Sequence, residues 1–172
     1  MSSGARAGKG SEGRNWATRN VVHSIKGRLN EFSLGSMLTQ AFAGSEGRVT
    51  TISSDAIHGH TVFQISVMPL DPAHPITNVY AIYGDGDHQM LTPPAFHVPA
   101  PFGCDIGGTN PAFWEINADS QWDSWLTVGV TEGNVRNEIS SIGVDWSAWT
   151  QDKGMSIDDG AIFWMDPDDA VK

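Results

Sequence analysis

The sequence predicts a mainly β protein, an antiparallel β-sandwich preceded by a basic arm and an amphipathic helical segment. From residue 48 onward, short runs of β-branched and aromatic residues alternate with clusters of Gly, Pro, Asn and Asp, the pattern of strands joined by turns. No helical pattern intervenes between these runs, which favours antiparallel pairing. Nineteen Gly and nine Pro with only 17% charged residues also indicate many turns.

Residues 1–20 are predicted to form a flexible basic arm. This stretch is rich in Ser, Gly, Ala and Arg and has no apolar core of a secretory signal. Residues 1–31 carry six basic and two acidic side chains (+4), whereas the other 141 residues carry four and eighteen (−14). The arm could equally be the remains of an organelle transit segment, which has the same composition. An acidic body of this kind repels nucleic acid, so we expect no nucleic-acid partner.

Residues 21–47 are predicted to form an amphipathic helical segment. Apolar side chains recur here at three- and four-residue spacing, as on one face of a helix: Val21, Val22, Ile25, Leu29 and Phe32. Such a segment packs either on its own domain or on a neighbouring subunit, and the sequence leaves both alternatives open.

Residues 48–172 are predicted to form the β-sandwich domain. Its strand-like runs cover residues 48–53, 61–68, 78–84, 124–130, 139–146 and 161–165, and the long proline-rich loop covers residues 91–113. The residues expected inside are Trp125, Ile142, Val144 and Phe163. No apolar run approaches the length of about 20 residues that spans a bilayer, so the chain is not expected to be transmembrane.

The hexapeptide from Asp105 to Asn110, DIGGTN, resembles the phosphate-binding turn of bacterial sugar kinases. In those enzymes an apolar strand delivers the Asp. Here Pro99 and Pro101 precede it and Pro111 follows it, and proline cannot donate to a central strand ladder. We therefore predict that this segment is a chain reversal and not a nucleotide site.

Two other groups could carry chemistry. Cys104 and His97 are close in sequence, but a thiol nucleophile needs a lowered pKa, and the acidic surroundings raise it. His58 and His60 supply two imidazoles where zinc requires three or four ligands, so a polar loop or a strand end is the simpler interpretation. No catalytic residue and no cofactor is predicted.

The acidic C-terminal stretch and the tryptophans offer binding functions. Clustered carboxylates suit calcium or simply form turns, and the calcium candidates are Asp158, Asp159, Asp166, Asp168 and Asp169. Tryptophans could line a carbohydrate site or form the core: Trp114, Trp122, Trp125, Trp146, Trp149 and Trp164.

Six blocks in order carry a family resemblance: VYAIYGD, PFG with TNPAF, WDSWLTVGV, SSIGVDWSAW and DDGAIFWMDPDDA. They resemble a poorly characterised β-rich domain that recurs in proteins of marine algae and planctomycete-like bacteria, and that is in turn similar to shell-forming proteins around algal pyrenoids. The resemblance covers about residues 60–172 and implies a fold but no catalytic residues.

These observations predict a non-enzymatic structural protein, a scaffold, shell or linker subunit of a larger complex. The resemblance favours an algal plastid, with an extracellular or surface location second. The alternative is a calcium- or carbohydrate-binding β-module. Partners are expected to be protein subunits, identical or different, bound through the arm and the start of the next segment: Arg6, Lys9, Arg14, Trp16, Arg19, Val21, Val22 and Ile25.

Overall fold

A computed structural model describes residues 19–26, 45–69 and 79–165 of the chain. Eight strands occur in these ranges: β1 (Arg19–Lys26), β2 (Ser45–Ser53), β3 (His60–Pro69), β4 (Ala81–Gly84), β5 (Met90–Leu91), β6 (Ile139–Ile142), β7 (Ser156–Ile157) and β8 (Gly160–Trp164). Three short 3-10 turns cover Pro111–Phe113, Ala118–Trp122 and Trp146–Ala148. No helix in this described part is long and apolar enough to cross a membrane.

The strands form three antiparallel sheets, in the orders β1-β3-β2, β4-β8-β6 and β5-β7. The prediction of a mainly β, antiparallel protein is therefore confirmed. A sandwich of two sheets is not confirmed, because the described residues form sheets of three, three and two strands joined by long irregular segments.

The predicted helical segment is wrong at its beginning. Residues 21–26 belong to β1, which pairs with β3 from Arg19 opposite Val67 to Lys26 opposite His60. The residues Val21, Val22 and Ile25 are β-branched, and such residues favour strands over helices. The prediction for residues 27–44 lies outside the described residues, and the prediction for residues 45–47 is wrong because they belong to β2 (Ser45–Ser53).

Four of the six predicted strand runs correspond closely to β2, β3, β4 and β8, and a fifth contains β6. The run 124–130 is instead a buried irregular segment with a single parallel bridge between Leu126 and Ile106. Its amide groups bond to the proline-rich loop: Ser124 N–H to Phe96 O (3.1 Å) and Leu126 N–H to Asp105 O (2.9 Å). The loop thus replaces the neighbouring strand that this run would need.

The core lies beneath the β4-β8-β6 sheet. Its buried apolar side chains are Ala95, Leu126, Trp149, Met155, Ile157 and Ile162, and Val144 packs partly buried against them. Trp125 is buried as predicted, with 6% of its surface exposed. Phe163 is half-buried, and Ile142 is 67% exposed, so its predicted interior position is wrong. Ile139 of the same strand is buried at 2%, and a residue three positions further along a strand faces the opposite side.

Candidate functional site

The kinase-like hexapeptide forms a closed turn inside the protein. Gly107, Gly108 and Thr109 are buried, and Gly107 N–H donates to Leu126 O at 2.9 Å. The Thr109 hydroxyl donates to Ser120 O at 2.6 Å and accepts from Trp114 Nε1 at 3.0 Å. Gly108 has φ +83°, and a Cβ at this position would collide with the Thr131 carbonyl. This packing agrees with a chain reversal, because phosphate needs open backbone amides.

A buried carboxylate, Asp123, organises the proline-rich loop. Its side chain is fully enclosed and accepts hydrogen bonds from Val98 N–H at 2.9 Å and Cys104 N–H at 2.6 Å. These two donors stand at either end of the segment 98–104, so one side chain closes that part of the loop. In the sequence Asp123 stands out only as part of the WDSW block. Its role leaves no local signal, because the two donors lie 25 and 19 residues away along the chain.

Burial raises the pKa of Asp123 to about 6, opposed by the backbone N–H groups of Val98, Cys104 and Ser124 and reinforced by the charge of Asp105. His97 Nδ1 lies 3.8 Å from Asp123 Oδ1, which is too long for a hydrogen bond. Burial lowers the pKa of His97, while the Asp105 carboxylate partly restores it. The His97 ring meets Trp149 edge-on at 4.7 Å.

Cys104 lies beside these acids. Burial, followed by the charges of Asp123 and Asp105, raises the pKa of its thiol to about 12, although N–H groups of Ile106 and Gly108 hydrogen-bond to the sulfur. This agrees with the prediction that acidic surroundings raise this pKa. A thiol with such a pKa is protonated at neutral pH, whereas nucleophilic cysteines have a lowered pKa.

Only some of the metal-binding candidates belong to the described residues. Asp158 and Asp159 are exposed in the turn between β7 and β8, whereas Asp166, Asp168 and Asp169 lie outside the described residues. His58 is exposed, while His60 is buried, with its Nδ1 3.0 Å from His58 O and its ring 5.5 Å from that of Phe96. Within ranges 19–26, 45–69 and 79–165, no three His, Cys, Asp or Glu residues could hold a metal ion together.

The tryptophans divide between core and surface. Trp125 and Trp149 are buried, and Trp149 Nε1 donates to Pro93 O at 2.7 Å. Trp146 packs against Trp149 with ring centres 6.4 Å apart. Trp114 is the most exposed of the described tryptophans, at 37%. The interpretation of Trp125 as a core residue is therefore confirmed.

The predicted partner-binding residues fall into two groups. Arg6, Lys9, Arg14 and Trp16 lie outside the described residues. The others belong to β1, which pairs along its whole length with β3 of the same chain: Arg19, Val21, Val22 and Ile25.

An apolar surface that sequence analysis missed covers the outer side of the β4-β8-β6 sheet. In one row across the three strands, Tyr83 lies opposite Ala161, and Ala161 lies opposite Ile142. Tyr83 is 56% exposed, Ile142 67% and Met165, just after β8, 55%. Phe163 belongs to the same side because it is two residues from Ala161. We call Tyr83, Ile142, Phe163 and Met165 the outer face.

The opposite side of the same sheet is buried, with Ile162 at 0% and Ile139 at 2% exposed. The sequence signal for the outer face was the unbroken apolar run AIFWM at residues 161–165. A strand that is apolar at every position is typical of a sheet covered on both sides. Here one side is covered by the core, and the other carries large exposed apolar side chains.

Two acidic residues lie at the ends of the outer face, and one of them is paired with a base, since Glu138 Oε1 is 3.6 Å from Arg136 Nη1. Asp159 stands beside the end of β6, because a Cβ on Gly143 would collide with the Asp159 carbonyl. Glu138 lies next to the last residue of the face, since Met165 N–H donates to Glu138 O at 2.8 Å. Residues 79–165 as a whole carry twelve acidic and two basic side chains, a net charge of −10.

Comparison with known proteins gives no relative: no protein-family model, no curated protein and no solved structure matches this chain.

Proposed function

We propose that this chain is a non-enzymatic structural subunit of a larger protein assembly, acting as a scaffold, shell or linker, and that it contacts partner subunits through the outer face. The observation that supports this proposal is the exposure of Tyr83, Ile142 and Met165, at 56%, 67% and 55%, on one side of one sheet.

Leaving this apolar surface in water costs free energy. Burial of apolar surface is worth roughly 25 cal/mol per Å², so covering these side chains would stabilise a complex. Exposed apolar patches on soluble monomers commonly mark interaction sites, and an apolar centre with few charged residues is typical of a protein–protein interface.

The resemblance to β-rich domains of algal and planctomycete-like proteins, and through them to pyrenoid-shell proteins, agrees with an assembly role and with a plastid location. The assembly role and the plastid location both belong to the proposal. The acidic cluster around His97 and Asp123 serves the fold in this proposal, because its hydrogen bonds close the proline-rich loop.

The test is the particle mass of the full chain by light scattering, with and without a calcium chelator. We expect particles larger than one chain, unaffected by the chelator and reduced in mass by Ile142→Asp. The matched control is Ile116→Asp, because Ile116 is 71% exposed but lies between two 3-10 turns, outside the sheet. It should leave the particle mass unchanged.

A wild-type chain that stays monomeric at all concentrations would overturn the proposal. If that monomer also gained thermal stability on adding calcium, the alternative of a calcium-binding module would replace it. Equal loss of mass in Ile142→Asp and Ile116→Asp would also contradict the proposal, since it would show a general effect of added charge.

A further inference from the structure

We propose that the outer face binds residues 1–18 of a second copy of this chain, the part of the predicted basic arm that precedes β1. This inference rests on the proposed function and names the partner of that surface.

Charge complementarity favours this pairing. The outer face belongs to a part of the chain with a net charge of −10 over residues 79–165, and Asp159 lies beside one end of it. At the other end Glu138 is paired with Arg136, so the negative charge of the face is concentrated at the Asp159 end. A ligand for it should therefore be basic as well as partly apolar. Residues 1–18 carry Arg6, Lys9 and Arg14 against the single acid Glu12, together with Trp16.

The side chains of the outer face suit those of the arm. Tyr83 exposes 56% of its surface, and an arginine guanidinium stacks favourably on an exposed aromatic ring. Ile142 and Met165 provide aliphatic surface for an indole, and Trp16 is the large apolar side chain of the arm. Tryptophan and arginine are also the residues most enriched among those that dominate binding energy at interfaces.

The arm is long enough to reach a neighbour. Its residues 1–18 precede β1, which begins at Arg19. At a maximum of about 3.3–3.6 Å per residue, they extend up to roughly 60 Å. This length is ample to bridge to a neighbouring subunit.

An arm that binds a different surface of the next copy forms a heterologous contact. Repetition of such a contact produces rings or open arrays rather than closed dimers. Each chain would then contribute one arm and one outer face, and disabling either would stop growth.

Two full-length variants test this pairing. The arm variant carries Arg6→Glu, Lys9→Glu and Arg14→Glu, and the face variant carries Tyr83→Asp and Ile142→Asp. Each variant alone should be monomeric by light scattering. A 1:1 mixture should yield a heterodimer with the mass of two chains and nothing larger, because only one arm and one face remain functional in the pair.

A charge exchange provides a second, independent measurement that leaves the apolar centre intact. The rim variant carries Asp158→Lys and Asp159→Lys, both at exposed positions in the turn before β8. Alone it should be monomeric, and mixing it with the arm variant should restore particles of wild-type size, because both arm–face pairs then have opposite charge.

The outcomes separate this inference from the proposed function. If the arm variant still assembles while the face variant does not, the outer face packs on something other than the arm. The inference is then overturned while the assembly function stands. Failure of both mixtures to associate would also overturn the inference. A wild-type chain that is monomeric would overturn the proposed function, and the inference with it.

Discussion

At the scale of single residues, two opposing effects act on the pKa of Asp123. Burial favours its neutral form and raises its pKa to about 6, while three backbone N–H groups favour the carboxylate. Because the pKa in the folded state exceeds the ordinary value of 3.8, the folded protein binds the proton more tightly than the unfolded chain. The stability from this group is therefore fully present below pH 3.8 and is lost as the pH rises through about 6.

We predict that Asp123→Asn destabilises the protein at low pH, and that the difference from wild type depends on pH. An oxygen of Asp123 faces each of two backbone N–H groups, whereas the amide nitrogen of asparagine cannot accept, so a buried N–H loses its partner at a cost of about 1–3 kcal/mol. The wild-type advantage should be largest near pH 4 and should fall to about zero or below as the pH rises through about 6, because burial disfavours the ionised carboxylate. Urea unfolding of both proteins across this range measures it.

The exposed Asp119 provides the control, since Asp119→Asn should leave a nearly constant difference from wild type. An Asp123 advantage that grows with pH would contradict the prediction, because it would show that the N–H donors outweigh burial. His97 has the opposite effect on stability. Because burial lowers its pKa, its contribution to the free energy of unfolding is lost as the pH falls. Comparing each variant with wild type at the same pH removes most of that contribution.

Cys104 should react slowly in the folded protein. With a pKa of about 12 in place of 9.0, the thiolate fraction at pH 8 falls roughly 1000-fold, and the greater nucleophilicity of a more basic thiolate offsets part of this. We predict alkylation by iodoacetamide roughly 30- to 100-fold slower than in the urea-unfolded chain. Mass spectrometry over time measures both rates, and equal rates would show that the thiol is not held as the structure describes.

At the scale of elements, the sequence predicts where most strands lie better than it predicts which side of a strand is exposed. Runs such as AIFWM and TVFQISVM indicated β8 and β3 because β-branched and aromatic residues between turn signals favour strands. Segment 124–130 has the same composition but forms no strand, because its amides bond to residues 96 and 105. Partners that distant along the chain leave no local signal.

The same limit explains the wrong prediction for Ile142 and the absence of any prediction for Asp123. Composition marks both as belonging to an ordered domain, but which side of β6 meets the core depends on its pairing with β8. A shift of one residue in register exchanges the two sides of a strand. Asp123 is likewise ordinary in local sequence, and its role depends on donors at residues 98 and 104.

Two isoleucines in strand β6 allow a matched test of which side of this strand faces the core. Ile139 and Ile142 lie in one four-residue strand and are 2% and 67% exposed. We predict that Ile139→Asp costs about 3 kcal/mol or more, because it buries a charge and removes packing. Ile142→Asp should cost less than about 1 kcal/mol. Thermal unfolding below the concentration of assembly compares them, and equal losses would mean that both sides of β6 are covered.

At the scale of the whole molecule, the chain joins a basic start to an acidic body, with charges of +4 for residues 1–31 and −14 for the remainder. Strand β1 limits how much of the N-terminal segment can be deleted without removing part of a sheet. It pairs with β3 through eight residues, Arg19 to Lys26, so removal of residues 1–30 would take away an edge strand together with the arm. A deletion that tests the arm alone must end at residue 18.

We therefore predict that deletion of residues 1–18 abolishes self-assembly while leaving the melting temperature of the β structure unchanged within about 2 °C, since no described strand is removed. Deletion of residues 1–30 should lower that temperature as well, because β3 loses its β1 partner. The association of wild-type chains should also weaken as the salt concentration rises, since charges are screened beyond about 8 Å at physiological ionic strength. Light scattering at 50 mM and 500 mM NaCl and calorimetry of all three proteins measure these effects.

Particles of unchanged size after deletion of residues 1–18 would show that the arm takes no part in assembly. Particles that persist equally at both salt concentrations would show that apolar contact at the outer face supplies nearly all of the binding energy.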